Sequence, residues 1–201
     1  MNIQIPPATQ ALILVNVVVY FLMMLLGLSP IGWFALWPLG MEGYGISFMP
    51  WQLVSYSFLH DPRSMMHLLF NMFALFMFGS EIERLFGTRW FAVYYLVCVV
   101  SAAIAQLIFS AVANMPPVPT VGASGGVFGL LLAYGMYFPQ RKLMLIFLPV
   151  PIPAWLFVIL YGAAELFFGI TGTFSGVAHF AHLGGMVGGY LMIRQRRGRR
   201  R

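Results

Sequence analysis

A serine set among small residues, Gly122-Ala123-Ser124-Gly125-Gly126, opens an apolar run that ends near Phe138. Two roles are open to such a residue at a helix start. As an N-cap, its hydroxyl satisfies a free backbone donor while the glycines let helices pack closely. As a nucleophile, it sits where unpaired N–H groups and the positive dipole end suit a developing oxyanion. Gly122 and Gly125 would then let backbone and substrate approach each other. The second role needs a base at the same depth. The candidates are His60, His67, His179 and His182. His67 and Asn71, four apart, share one helical face. His179 and His182, three apart, share another, which also keeps a metal-dependent hydrolase in view. Against that, no His-Glu-x-x-His run exists and no acid adjoins either pair.

The elements that must position these residues belong to a membrane. The chain of 201 residues is 61% hydrophobic and 8% charged, a balance foreign to soluble domains. One cysteine, Cys98, excludes an internal disulfide framework. The positive excess lies largely in 194–201, directly after an apolar run, which suits anionic inner-leaflet lipid and not nucleic acid. The expected spans are about 11–28, 64–79, 90–112, 124–138, 154–170 and 177–193, in one all-α domain over 1–201. The first is too long for a signal-peptide core and lacks a basic leader. Between spans one and two, Trp33, Trp37, Tyr44 and Trp51 with several prolines and glycines predict a structured loop at the headgroup level. Pro149, Pro151 and Pro153 interrupt the apolar stretch before span five.

Sidedness follows from charge. Arg84, Arg89, Arg141, Lys142 and the arginine tail fall on alternate connections, and only Arg63 lies on the others. The positive-inside rule therefore puts both termini in the cytoplasm. Ser124 and all four histidines then meet at the outer side. Span four, about 22 Å at 1.5 Å per residue, is shorter than a ~30 Å hydrocarbon layer, so Ser124 is expected below the surface. Non-helical backbone at that depth needs protein or water around it. Gly185 and Gly189 of span six, facing Gly125 and Gly129, would bring His182 within reach of Ser124. Phe128 either stacks on the His182 ring or only fills space. No carboxylate is evident to orient the base. Glu165, in the outer half of span five, reads as a functional intramembrane acid or as a protonated one bonded to a neighbouring helix. His179 is expected to face loop water.

Gly122-Ala-Ser124-Gly, Ala181-His182-x-x-Gly185-x-x-x-Gly189 and His67-x-x-x-Asn71 together resemble the rhomboid family of intramembrane serine proteases over the whole six-span core. Glu83 and Gly87 resemble its acidic-glycine pattern. Trp51 resembles the loop's Trp-Arg pair, with Gln52 in place of Arg. The resemblance implies that Ser124 is the nucleophile and His182 the general base. It implies an oxyanion hole from His67, Asn71 and the Ser124 N–H, and no cofactor or metal. Substrates would be transmembrane proteins cut near their outer ends, and span five with the loop 171–176 is a candidate gate. The expected home is a bacterial cytoplasmic membrane. A catalytically silent client-binding relative, or a transporter, is the competing class.

Overall fold

The computed structural model describes residues 4–40, 45, 47–113, 118–145, 148–173 and 176–198. Glu42, Tyr44, Pro116, Pro117 and the last three arginines lie outside the described residues. The framework is helical: α1 (Pro7–Leu26), short α2 (Ile31–Phe34) and α3 (Gln52–Ser55), α4 (Met65–Ala74), α5 (Ser80–Phe86), α6 (Thr88–Val112), α7 (Ser124–Tyr137), α8 (Ala154–Thr171) and α9 (His179–Gly198). Four stretches, Pro7–Leu26, Met65–Phe86, Thr88–Val112 and Ala154–Thr171, are long and apolar enough to cross a membrane. Their outward faces expose Leu25, Ile108, Val112, Phe167 and Ile170. In lipid that surface has no hydrophobic penalty.

The second span departs from its expected end at Gly79. One π turn, Leu75–Gly79, carries α4 directly into α5, so the helical stretch continues to Phe86. An inserted π turn keeps the ladder unbroken while rotating the faces on either side of it. Helicity ends where Gly87 adopts φ 79°, which a side chain would strain, and α6 begins at once. Glu83, 2% exposed, accepts from the N–H groups of Ala8 and Thr9 and from the hydroxyls of Thr9 and Thr88. It caps α1, whose N-terminal residues Pro6 and Pro7 supply no cap of their own. This is the physical content of the Glu83–Gly87 pattern: one carboxylate ties three helices at one end.

The proline-interrupted stretch before α8 is a hairpin. β1 (Lys142–Leu145) pairs antiparallel with β2 (Leu148–Pro153), with Lys142 opposite Pro153 and Leu143 opposite Ile152. Prolines are tolerated there because a two-stranded ribbon is all edge.

At the centre, α9 packs on α6 and α7, and α7 also on α6. Glycines make these contacts possible on two faces of α9. A Cβ on Gly184 or Gly188 would run into Ala105 and Ser101 of α6, and one on Gly185 into the Gly125 carbonyl of α7. Gly189 departs from expectation. It meets Tyr94 and Cys98 of α6 instead of α7. Arg84, Arg141, Arg196 and Arg197 gather at the end opposite Ser124. Arg141 pairs with Glu81, Arg196 lies over the Phe86 and Trp90 rings, and Arg197 lies over Tyr137.

Candidate active site

Ser124 is the first residue of α7, so its backbone N–H has no acceptor within the helix. The chain reaches it along a rail built by the segment between α1 and α4. Leu36 and Thr120 exchange two backbone hydrogen bonds, and the Gly122 N–H donates to the Tyr56 carbonyl at 3.0 Å. Tyr56 is itself pinned by its hydroxyl, which donates to the Val99 carbonyl of α6 at 2.9 Å. Gly122 has φ 125°, and a Cβ there would come within 2.9 Å of His67 Nε2. A glycine is therefore required twice over, by conformation and by space. At 14 residues, or about 21 Å, α7 is shorter than a hydrocarbon layer, as expected.

The loop is better held than its missing Arg suggests. Gln52 is buried. Its amide oxygen accepts from the Trp37 N–H and its amide nitrogen donates to the Trp33 carbonyl, both at 3.3 Å. The Trp51 indole donates to the same carbonyl at 2.9 Å.

The structure brings Ser124 and His182 together. Ser124 Oγ lies 2.9 Å from His182 Nε2, and the Phe128 ring lies parallel to the imidazole at 4.2 Å and 7°. A parallel face at that distance leaves the ring one plane of rotation. His67 enters from α4, whose start is fixed by Ser64: its hydroxyl and its carbonyl both meet the His67 N–H. His67 Nε2 then lies beside Gly122, on the Ser124 side. Asn71 is buried, one turn deeper, and one of its two amide hydrogens is donated to the His67 carbonyl at 2.9 Å. Its second meets no acceptor among the described residues.

Two expectations fail here, and both concern the surroundings of His182. A carboxylate does lie against it: Glu165 Oε2 is 2.8 Å from His182 Nδ1. His179 does not face loop water. It is 7% exposed, with Nδ1 at 2.7 Å from the same Glu165 oxygen and Nε2 at 3.2 Å from the Thr173 carbonyl. Helix α9 starts at His179 and not two residues earlier, so its first turn points both rings at α8. The three-residue spacing held that signal, since such residues share a face. Neither Tyr56 nor Gln52 carries a sequence signal that marks it as a support.

Glu165, His179 and His182 have ligand atoms within 4.8 Å of one another, so a metal has to be considered. Tetrahedral zinc with ligands at ~2.0–2.1 Å spaces its donors about 3.3 Å apart. The two N···O separations of 2.7 and 2.8 Å are instead hydrogen-bond lengths. Protons fit between these atoms; an ion does not without moving them.

Outside the spans, His60 is buried against the His67 ring, centroids 5.0 Å apart. Burial first, and the neighbouring His67 second, push its pKa down to about 3. Asp61 is held below the carboxylate range by its hydrogen bonds to Arg63.

Comparison with known proteins gives the family. A rhomboid domain model matches residues 47–197. The chain is 30% identical to the rhomboid protease GlpG of Yersinia pestis (strain Pestoides F) over 194 residues, 94% of this chain and 62% of that protein. It is 32% identical to the rhomboid protease GluP of Bacillus subtilis (strain 168) over 142 residues, 70% of this chain and 25% of that one. With the mitochondrial Rhomboid protein 1 of Saccharomyces cerevisiae it shares 32% over 126 residues, 62% of this chain and 36% of the other. The chain thus spans from a quarter to about three fifths of the length of these relatives. With most of its length matched and several of its helices fit to cross a bilayer, this integral membrane chain belongs to the rhomboid family.

Proposed function

We propose that the protein is an intramembrane serine endopeptidase that hydrolyses peptide bonds in or near the transmembrane segments of other membrane proteins. The observation that carries this reading is the 2.9 Å contact between Ser124 Oγ and His182 Nε2. It is made between two helices whose glycines let them touch. The protease names of the relatives from Yersinia pestis and Bacillus subtilis point the same way.

Ser124 Oγ attacks the scissile carbonyl carbon as its proton passes to His182 Nε2. The carbonyl π electrons move onto oxygen, which the Ser124 N–H, the His67 ring and the free Asn71 amide hydrogen receive. Collapse breaks the C–N bond, and His182 returns the proton to the departing amine. Water, activated by the same imidazole, then releases the acyl group. No cofactor or metal enters any step. A substrate helix must unwind to present its carbonyl, so weak helix formers near the cut are favoured.

In this reading α1, the α4–α5 stretch, α6, α7, α8 and α9 are six spans. The arginine-rich end faces the cytoplasm and anionic lipid, and the site opens outward. The membrane is a bacterial cytoplasmic one, and α8 with the segment after it is the side by which substrate enters. A fluorophosphonate probe should label the chain, and a model transmembrane substrate should be cut. Ser124→Ala should abolish both and His182→Ala nearly so. Cleavage persisting in purified Ser124→Ala would end the proposal.

A further inference from the structure

The buried group behind His182 carries a further step, which rests on the hydrolytic reading above. Three acceptor or donor assignments are forced by partner chemistry. A carbonyl oxygen accepts only, so the 3.2 Å contact to Thr173 requires a hydrogen on His179 Nε2. A base for Ser124 needs its lone pair on His182 Nε2, so the hydrogen of neutral His182 sits on Nδ1 and is donated to Glu165 Oε2. One proton is then left for the 2.7 Å gap between His179 Nδ1 and that same oxygen. Whichever atom holds it, the set of Glu165, His179 and His182 is electrically neutral. A neutral set is what a site with all three residues buried requires.

Glu165 meets both imidazole nitrogens through one oxygen, so a protonated acid is only part of the arrangement. A single O–H serves one of them, and the other must donate. Among the described residues, the ionisable groups facing the cluster besides Ser124 are Tyr161 on α8 and His67 on α4. On the side of α9 that faces α6, Gly184 and Gly188 lie against Val97, Ser101, Ala102 and Ala105, none of them ionisable, and Gly189 further along lies against Tyr94 and Cys98.

We propose that Glu165 is the positioning residue of a Ser124–His182–Glu165 relay and that His179 is its counter-ion in the resting state. When Ser124 gives its proton to His182 Nε2, the new imidazolium already donates Nδ1–H to Glu165 Oε2. The charge pair forms without rearrangement and away from water. His179 competes for the same oxygen. It keeps the resting carboxylate compensated and takes a share of the oxygen that would otherwise serve His182 alone.

The two partners therefore act on His182 in opposite directions, and that is the test. The full-length chain is purified in detergent, and fluorophosphonate acylation with kcat and KM on a model transmembrane substrate is followed from pH 5 to 9. Glu165→Gln keeps shape and removes charge. The acid limb of its profile should move to lower pH, and kcat should fall on the order of 10²–10⁴-fold, as when a triad carboxylate is lost. KM should stay within about threefold. His179→Gln should move the limb to higher pH and keep kcat within about tenfold. In the unsubstituted chain at pH 8, nitrogen NMR of labelled histidine should place the His182 hydrogen on Nδ1, and Glu165→Gln should weaken that preference.

The proposal is overturned if the two limbs move together or not at all. It is overturned equally if Glu165→Gln retains a third of wild-type kcat, or if a chelator abolishes an activity that zinc restores. Failure of the protease reading looks different: the unsubstituted chain would not label at Ser124, while the NMR assignment could still hold.

Discussion

Gly185→Ala sets two physical effects against each other at the seam that holds the site. In a helix interior, alanine is favoured over glycine by about 1 kcal/mol. At this position the added methyl would land on the Gly125 carbonyl, overlapping its oxygen, 2.8 Å from its carbon and 3.3 Å from the Gly125 Cα. Carbon contacts settle near 3.5–4.0 Å, and the obstacle is backbone, so α7 and α9 must part by about 1 Å. Overpacking of this kind costs about 1–3 kcal/mol, which leaves a net destabilisation of about 0–2 kcal/mol. Activity is the more sensitive reporter. Ser124 immediately precedes Gly125, and His182 lies one turn before Gly185, so the 2.9 Å contact opens to almost 4 Å, outside hydrogen-bond range. A displacement of that size costs about 100-fold in rate. Gly162→Ala on α8 is the control, because its methyl meets only the Met186 thioether end at 3.5–3.7 Å. The assay pairs thermal unfolding in detergent with fluorophosphonate labelling. Labelling of Gly185→Ala within threefold of wild type, in a protein that still folds, would refute the view that this backbone contact sets the serine–histidine distance.

Phe128→Leu removes the parallel ring at 4.2 Å from His182. Aromatic pairs of this kind contribute about 0.5–1.5 kcal/mol, so kcat should fall about three- to tenfold with the melting temperature little changed. Glu83→Gln weakens a carboxylate that caps α1 and binds Thr88. With charge-assisted bonds contributing about 1.5–3 kcal/mol each, a loss of about 2–3 kcal/mol is expected in denaturant titration, with kcat spared. His60 gives a pH signature: its pKa is depressed to about 3 in the fold by burial. The unfolded chain therefore binds the proton first, and stability present above about pH 6.5 is lost progressively toward pH 3. The limit is on the order of 4–5 kcal/mol. His60→Phe should flatten that part of the profile if it folds, and an unchanged slope would contradict the assignment.

That Ser124 and the four histidines meet at one end of the helices is legible in the sequence because counting apolar runs is local. Glycine spacing likewise announces the α7–α9 seam, since Gly125 and Gly185 do meet. What escapes depends on rotation between helices. Glu165 is 17 positions from His182, and nothing in the periodicity of α8 says which way its C-terminal turns face. His179 misleads because a helix start near 177 would give its ring a loop to face. The π turn at Leu75–Gly79 leaves no mark in an apolar run, and the continuation to Phe86 is hidden with it. Gln52 looks like a lost anchor, yet an amide offers a donor and an acceptor together and uses both.

Which came first in setting this geometry, packing or polarity, is answered by magnitudes. A buried hydrogen bond contributes about 0.5–1.5 kcal/mol net, too little for the Ser124–His182 contact to hold two helices at a distance their backbones resist. Glycines at 125, 184, 185 and 188 remove the resistance instead, with α6 receiving one face of α9 and α7 the other. The polar groups then find each other because the backbones are already close. Glu165 follows the same logic from the third side, through α8, whose own contact with α7 is glycine-permitted at Gly135 against Val158. It follows that Ser124→Ala should leave the unfolding free energy within about 1 kcal/mol of wild type while destroying labelling. A much larger loss of stability in Ser124→Ala would mean that the hydroxyl helps to hold the helices together, and polarity would then precede packing.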